Sequence, residues 1–284
     1  MIKPNTAGRA LLMLVLLLAT IVRVHAVTPL EAAETAAQRG EWEKAVRLYD
    51  RALAEDDFSV AEIARVYLAR GTAQWQQDAI EQAIHDFGMA VNYDPLLTMA
   101  FFRRGLGFSR LEDFQRAAED FSRVLLLEPQ HAMALTARGF ARMTLGEDDA
   151  ALADYNAALL FEHQDPIALQ NRGSLYLQMG RLDEALADFD AVLRVEPNNP
   201  MVLNNRGSIY ARQGRLDQAI DDFDRALTQA PDYLMALLNR AAALQAGGRA
   251  EAAVADLERA RQLAPEHPEV RERWAAFRRQ GLLP

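Results

Sequence analysis

The sequence predicts an all-α protein built from repeated helix pairs, and three observations carry that prediction. Small residues recur every 34 positions at Gly71, Gly105, Gly139, Gly173 and Gly207, with Ala241 next in line. Alanines keep the same step at Ala83, Ala117, Ala151, Ala185, Ala219 and Ala253, and bulky residues keep it at Phe87, Phe121, Tyr155, Phe189, Phe223 and Leu257. Prolines Pro95, Pro129, Pro197, Pro231 and Pro265 fall on the same grid, with His163 standing where the sixth would be. A fixed period of this length, with apolar residues at helical spacing inside it, marks a repeat architecture in which each unit is one pair of helices.

The first segment stands outside the repeats. Lys3 and Arg9 precede a mostly apolar run from Ala10 to Val22, and Val24-His25-Ala26 places small residues where an export signal would be cut. Thirteen helical residues reach about 20 Å, short of the roughly 30 Å hydrocarbon core. Residues 1–26 are therefore expected to be a cleaved signal peptide. The other reading is an uncleaved anchor flanked by Arg23 and His25. Either way, Val27 onward is expected outside the cytoplasm, in the periplasm or facing it from the inner membrane. Loss of Lys3, Arg9 and Arg23 would take the formal charge from −9 to −12. The scarcity of lysine beside abundant arginine points to a bacterial source.

Seven repeats follow, at roughly 27–60, 64–97, 98–131, 132–165, 166–199, 200–233 and 234–267. In the stretch RGSLYLQMGRLDEALADF, the spacing gives helix A from Pro166 to Gln178 and helix B from Leu182 to Val195. Glycine inside a helix costs about 1 kcal/mol relative to alanine, so Gly173 and its equivalents need a reason. A close crossing supplies one, with the ring of Phe189 seated on Gly173 and Ala185 offering the matching small surface. Gly146, Gly180, Gly214 and Gly248 form a separate series that closes helix A. The prolines end helix B. Residues 268–284 form a last lone helix. Val270, Trp274 and Phe277 share one face, and arginines and glutamates cover the rest, as a solvating cap requires. A docking patch for an acidic partner is the other reading of that basic cluster.

This pattern resembles the tetratricopeptide repeat, a 34-residue helix–turn–helix. The residues carrying the likeness are Leu169, Arg172-Gly173, Tyr176, Ala185, Phe189 and Pro197, then Leu203, Arg206-Gly207, Tyr210, Ala219, Phe223 and Pro231. Ala33, Gly40, Trp42, Ala45, Tyr49 and Ala52 match more loosely, with about four residues inserted before Ala64. The resemblance covers essentially the whole chain after the leader. It implies a right-handed superhelical solenoid of seven helix pairs plus a C-terminal cap, and it says little about biochemical function.

The residues themselves point away from catalysis. With no cysteine, the chain can make no disulfide, thiolate zinc site or cysteine nucleophile. His85, His131, His163 and His267 are scattered singly, and no phosphate-cradling loop, nucleophile elbow or calcium loop is present. No catalytic residue, metal or cofactor is expected. An acidic balance argues against nucleic acid, which needs a basic stripe. The acid clusters Glu55-Asp56-Asp57, Glu147-Asp148-Asp149 and Asp221-Asp222 read as solvated helix ends or faces.

One charged pattern stands out. Arg70, Arg104, Arg138, Arg172, Arg206 and Arg240 precede the small helix-A residue, where the family more often has leucine. Asp86, Asp120, Asp154, Asp188, Asp222 and Asp256 precede the bulky helix-B residue. The expected arrangement is a ladder of Arg–Asp pairs that fixes repeat register, within a repeat or between neighbours. A row of arginines lining a groove for acidic peptide ends is the alternative.

By the family likeness, a partner would lie along helix A, on the second, fifth, ninth, twelfth and thirteenth residues of each repeat. The candidate groove residues toward the N-terminus are Leu68, Trp75, Phe102, Leu106 and Phe140. Farther along they are Gln170, Asn171, Ser174, Asn204, Asn205, Ser208 and Arg212, with Gln178 beside them. Apolar groups suit burial of partner side chains, and amides suit an extended peptide backbone. Met99, Met133, Met201 and Met235 could belong either to this surface or to the core between repeats. The lysine clamp that some tetratricopeptide grooves place on a terminal carboxylate has no counterpart, since only Lys3 and Lys44 are present. The expected function is a non-enzymatic scaffold that binds a peptide or protein segment in the cell envelope. An accessory or regulatory subunit of an envelope enzyme complex is the alternative. Membrane contact is expected only through an uncleaved N-terminal segment, and the oligomeric state is left open.

Overall fold

The computed structural model describes residues 27–282, which contain fifteen α-helices and no strand. The leader at 1–26, with its expected signal and cleavage site, lies outside the described residues. No helix among those described is long and apolar enough to cross a membrane.

The helices fall into two compact units that divide at Asp113, in the turn between the two helices of the 98–131 repeat. The first unit holds α1 (Pro29–Gln38), α2 (Trp42–Glu55), α3 (Val60–Trp75), α4 (Ile80–Tyr93) and α5 (Thr98–Arg110). The second begins with α6 (Phe114–Leu127), α7 (Ala132–Thr144), α8 (Asp148–Phe161), α9 (Pro166–Gln178) and α10 (Leu182–Val195). It continues through α11 (Pro200–Arg212), α12 (Leu216–Gln229), α13 (Leu234–Ala246), α14 (Ala250–Leu263) and α15 (Pro268–Arg279). Odd numbers up to α13 are the A helices, even numbers the B helices, and α15 follows alone.

Local chemistry sets the helix ends. Thr28 and Ser59 each open a helix with a capping box, completed by Glu31 and Glu62. Asp165 and Asn199 cap α9 and α11, and Pro166 and Pro200 occupy the first turn, where a missing N–H costs nothing. Gly180 closes α9 at φ +76°, in the left-handed region that a side chain rarely enters. Asp78 (φ 63°) and Glu112 (φ 59°) hold the equivalent place in the first unit without glycine.

The A–B crossings explain the recurring small residues. A Cβ placed on Gly173 would lie 2.8 Å from Phe189 Cε1, and one on Gly207 would lie 2.8 Å from Phe223 Cε1. The same distance separates such an atom on Gly139 from Tyr155 and on Gly71 from Phe87. These four rings are fully buried, and Ala83, Ala151, Ala185 and Ala219 pack beside them without exposure. Ring burial at close range offsets the helical cost of glycine.

The last helix buries Val270 and Phe277, while Trp274 lies half-covered with Arg261 stacked 4.4 Å from its ring centre. Part of its basic cluster is internally committed. Arg273 holds Glu269 and donates to the Leu238 carbonyl, and Arg271 reaches Glu266. Arg278 and Arg279 remain exposed. The acid clusters need correction at single residues: Asp56 and Asp148 are half-buried, each with one carboxylate oxygen shielded from solvent. Asp221 is solvated, but its neighbour Asp222 is buried, because its place on α12 turns it inward toward Arg206.

Candidate functional site

Arg70, Arg138, Arg172, Arg206 and Arg240 of the 34-residue series each meet two B helices. Arg172 donates from Nε and Nη2 to both carboxylate oxygens of Asp188, at 2.8 and 2.7 Å. Its remaining Nη1 donates to Asn156 of the preceding repeat at 2.7 Å. Arg206 repeats the arrangement with Asp222 and Asp190, Arg240 with Asp256 and Asp224, and Arg138 with Asp154 and Ser122. Arg142 donates to Asp154 as well. In the first unit, Arg70 grips Asp86 through both oxygens and reaches back to Asp50. The backward partner stands 16 residues earlier in the second unit but 20 earlier at Asp50, so the loop after α2 carries four extra residues. Arg104 and Asp120, the remaining members of the two series, both have polar partners; Arg104 also lies over the Phe101 ring.

The aspartates of these pairs are almost wholly buried and the arginines largely so. The hydrogen bonds these arginines donate to Asp86, Asp188, Asp222 and Asp256 outweigh burial and raise the pKa of Arg70, Arg172, Arg206 and Arg240 above the usual arginine range. These guanidiniums therefore stay charged at any working pH. Tyr176 lies between Arg172 and Arg181, whose guanidiniums are 5.7 and 4.4 Å from its ring centre. Tyr210 is sandwiched in the same way by Arg206 and Arg215. With their donors spent on aspartates, the ladder arginines of the second unit offer little to a visiting anion.

The A-helix face of the second unit carries a different row. Met133, Ile167, Met201 and Met235 keep the 34-residue step and are 59, 62, 50 and 37 % exposed. These methionines therefore lie on the surface rather than in the core between repeats. Phe140 is also exposed and meets Phe114 edge-on, with ring centres 5.9 Å apart. Polar groups run beside this row. An open cleft of about 650 Å³ is lined by Asn204, Asn205, Ser208, Arg212, Met235 and Asn239, among others. Gln170, Asn171 and Ser174 lie half-buried one repeat earlier, and Gln178 is exposed.

Asn204 lines that cleft from below the surface. It is buried; its side-chain oxygen accepts from Asn239 at 3.0 Å, and its amide nitrogen donates to Asn205 at 3.4 Å. Ser208 and Ser174 turn their hydroxyls back to carbonyls one helical turn earlier. Asn199 donates to the Gln170 side chain at 3.3 Å, and Gln170 donates to Met201 Sδ at 3.2 Å. The groove amides are thus oriented by one another across neighbouring repeats. Asn239 belongs to this network and was not among the expected residues, although Asn171, Asn205 and Asn239 are themselves 34 apart.

In the first unit, Leu68 lines a cleft of about 320 Å³ together with Trp42, Tyr49, Arg65, Thr72, Met99 and Arg103. Trp75, Phe102 and Leu106 are half-buried. Arg110 stacks over Trp75 at 5.6 Å, so that indole is partly covered. Arg103 is a further residue that the sequence reading missed. It occupies the repeat position that reads asparagine at 171, 205 and 239, and that register was the available signal. Among the described residues, no cluster of histidine, aspartate or glutamate could hold a metal ion.

The tetratricopeptide repeat family matches residues 30–91, 102–166 and 171–233, well over half of the sequence, and the chain belongs to that family. A search of curated proteins finds no match. Among solved structures, the chain is similar to one from the APC/C hetero-tetramer Cut9–Hcn1, with a TM-score of 0.69 and 18 % identity. That match covers 87 % of this chain and 48 % of the other, so this chain spans about half the length of that relative. It is also similar to pilF of Pseudomonas aeruginosa, with a TM-score of 0.68 and 19 % identity over 76 % of this chain and 99 % of that one. YrrB, described as a TPR protein with an unusual peptide-binding site, matches at a TM-score of 0.54 and 23 % identity, covering 66 % of this chain and 95 % of its own. At these identities the likeness establishes the fold.

Proposed function

We propose that this protein is a non-enzymatic scaffold that holds segments of other proteins along the A-helix faces of its repeats, outside the cytoplasm. The observation that carries the reading is the exposed row Met133, Ile167, Met201 and Met235 beside half-buried amides. A fold that can bury large rings completely leaves flexible apolar side chains in solvent at one repeating position. Thioethers adapt to varied apolar side chains. The oriented amides of Asn205, Asn239 and Gln170 can pair with a peptide backbone. The Arg–Asp ladder serves register rather than recognition, because its donors are consumed within the fold.

Capture from a cell-envelope extract tests the reading. The full chain is expected to retain a defined set of proteins, and Met201→Glu with Asn205→Ala is expected to lose them. Identical captures by both proteins refute the site. Export is a separate part of the proposal, motivated by Lys3, Arg9 and the apolar run from Ala10 to Val22. N-terminal sequencing of the fractionated protein is expected to begin at Val27 in the periplasmic fraction, and a cytoplasmic protein retaining Met1 refutes it.

A further inference from the structure

We propose that the first-unit cleft between α3 and α5 takes an acidic peptide segment in which an Asp or Glu sits next to an apolar side chain. The inference rests on the scaffold reading above and names the chemistry of one occupant.

The observation behind it is an imbalance of pairing. The ladder arginines Arg70, Arg172, Arg206 and Arg240 are saturated within the fold, and exposed Arg47, Arg51, Arg181, Arg249 and Arg259 hold a carboxylate, whereas the side chains of Arg39, Arg123, Arg194, Arg278 and Arg279 bond to no described residue and stand on open surface, and Arg212 stands alone in its cleft. Arg65 and Arg103 line one cleft and have no hydrogen bond or ion pair with any described residue. Acids outnumber lysines and arginines 40 to 31 in the sequence, so two unpaired arginines on one wall are not a consequence of acid shortage. Two acids of this unit lie in electrostatic range of the cleft without bonding to either arginine. Glu62 accepts from the Ser59 backbone and hydroxyl at the start of α3, though it senses the charge of Arg65. Glu34 is close enough to add to the burial that raises the Tyr49 pKa, yet it bonds to neither arginine.

The rest of the lining fits the apolar half of such a ligand. Met99 is exposed, while Leu68 and Trp42 are half-buried with surface left to cover. Thr72 spends its hydroxyl proton on the Leu68 carbonyl. A guanidinium binds a carboxylate through two parallel hydrogen bonds. At about 320 Å³ the cleft lies at the small end of ligand sites, enough for a short stretch of extended chain.

A random peptide library displayed on phage and panned on the full-length chain tests this. Wild type is expected to enrich sequences with Asp or Glu beside Leu, Met or an aromatic residue. A synthetic peptide of the enriched sequence is expected to bind Arg65→Gln/Arg103→Gln at least about tenfold more weakly by fluorescence anisotropy, equivalent to about 1.4 kcal/mol. Neither arginine is bonded within the fold, so equal melting temperatures should accompany that loss. Arg65→Glu/Arg103→Glu should instead enrich lysine- or arginine-containing peptides. Enrichment without acid bias, or equal binding by the glutamine variant, overturns the inference. If the enriched peptides are lost on Asn205→Ala/Ser208→Ala but not on the arginine variants, the inference falls and the scaffold reading stands. If no peptide is enriched, both fall.

Discussion

Two glycines of the first unit should respond in opposite directions to the same change. In the interior of an exposed helix, glycine to alanine gains about 1 kcal/mol. A Cβ added to Gly88, inside α4, would meet nothing closer than Arg104 Nη1 at 3.7 Å, an ordinary contact. Gly88→Ala should therefore stabilise by about 1 kcal/mol. Gly71, inside α3, is different. Its Cβ would stand 2.8 and 2.9 Å from two ring carbons of Phe87 and 3.1 Å from Asp86 Cβ. Carbon atoms prefer about 3.5–4.0 Å, so the ring must retreat by several tenths of an ångström. It has little room to do so, since Phe87 is fully buried and Arg70 holds Asp86 through both oxygens. Overpacking of this kind costs about 1–3 kcal/mol. Placing this site in the upper half of that range and subtracting the propensity gain leaves Gly71→Ala less stable by about 1–2 kcal/mol. Urea unfolding followed by circular dichroism should move the two midpoints apart, on either side of wild type, with unchanged slopes. If Gly71→Ala raises the midpoint as Gly88→Ala does, the crossing does not require glycine and the account of the repeated small residue is wrong.

Other outcomes follow from single contacts. Arg172→Ala leaves the buried Asp188 carboxylate without its bidentate partner and should destabilise by about 3–5 kcal/mol in the same urea assay, without weakening any peptide bound in the first-unit cleft. Tyr155→Phe should stabilise by about 1–2 kcal/mol, because the Tyr155 hydroxyl is fully buried with no hydrogen-bond partner; a lower melting temperature would refute that. Glu112→Gly should raise the melting temperature by relieving a left-handed backbone worth up to about 1 kcal/mol, and no change would show the site to be unstrained. Gly88→Asp should couple favourably with Arg104 by about 1 kcal/mol in a double-mutant cycle with Arg104→Gln, and zero coupling would refute the ladder geometry at that rung.

The fold was legible because each repeat restates the same contacts. Gly173 and Phe189 are recoverable from their register alone, since only a small residue admits the ring and the error of any one repeat is corrected by the next. The Arg–Asp pairing was legible on the same ground. Its backward arm was not, because the residues that receive it, Asp50, Ser122, Asn156, Asp190 and Asp224, differ in chemistry and share only the ability to accept. The site was less legible still. Asn204 and Asn205 are neighbours in sequence with the same side chain, yet one is buried against Asn239 and the other is half-buried along the cleft; a rotation of one residue along α11 decides it. Arg65 and Arg103 could be located from the repeat grid, but their lack of partners is a property of three-dimensional neighbours that no spacing reveals.

The ladder also bears on why the A-helix face can stay open. A leucine at the Arg172 position could fill space between its own B helix and the preceding one, but apolar contact is tolerant of sliding and would hold the register of neighbouring repeats loosely. A planar guanidinium with two donors fixed on Asp188 and a third on Asn156 ties two B helices to one A helix in one geometry. Relative position is thereby set by residues other than the methionine row, which leaves that row for a partner. Gly88 marks a variation on the same design. It stands 16 residues before Arg104, where other repeats supply a side-chain acceptor, and the arginine nitrogen already lies 3.7 Å from where its Cβ would be. That rung sits on α5, the helix that carries Met99 and Arg103 of the first-unit cleft. Position 88 itself carries no side chain, so an aspartate there would add an acceptor from α4 within reach of the α5 guanidinium. Adding that acceptor with Gly88→Asp should stiffen α5 against α4, with tighter binding of one best-fitting acidic peptide and a narrower range of peptides enriched from the same library. An unchanged range would show that the α5 position is already fixed by its other contacts.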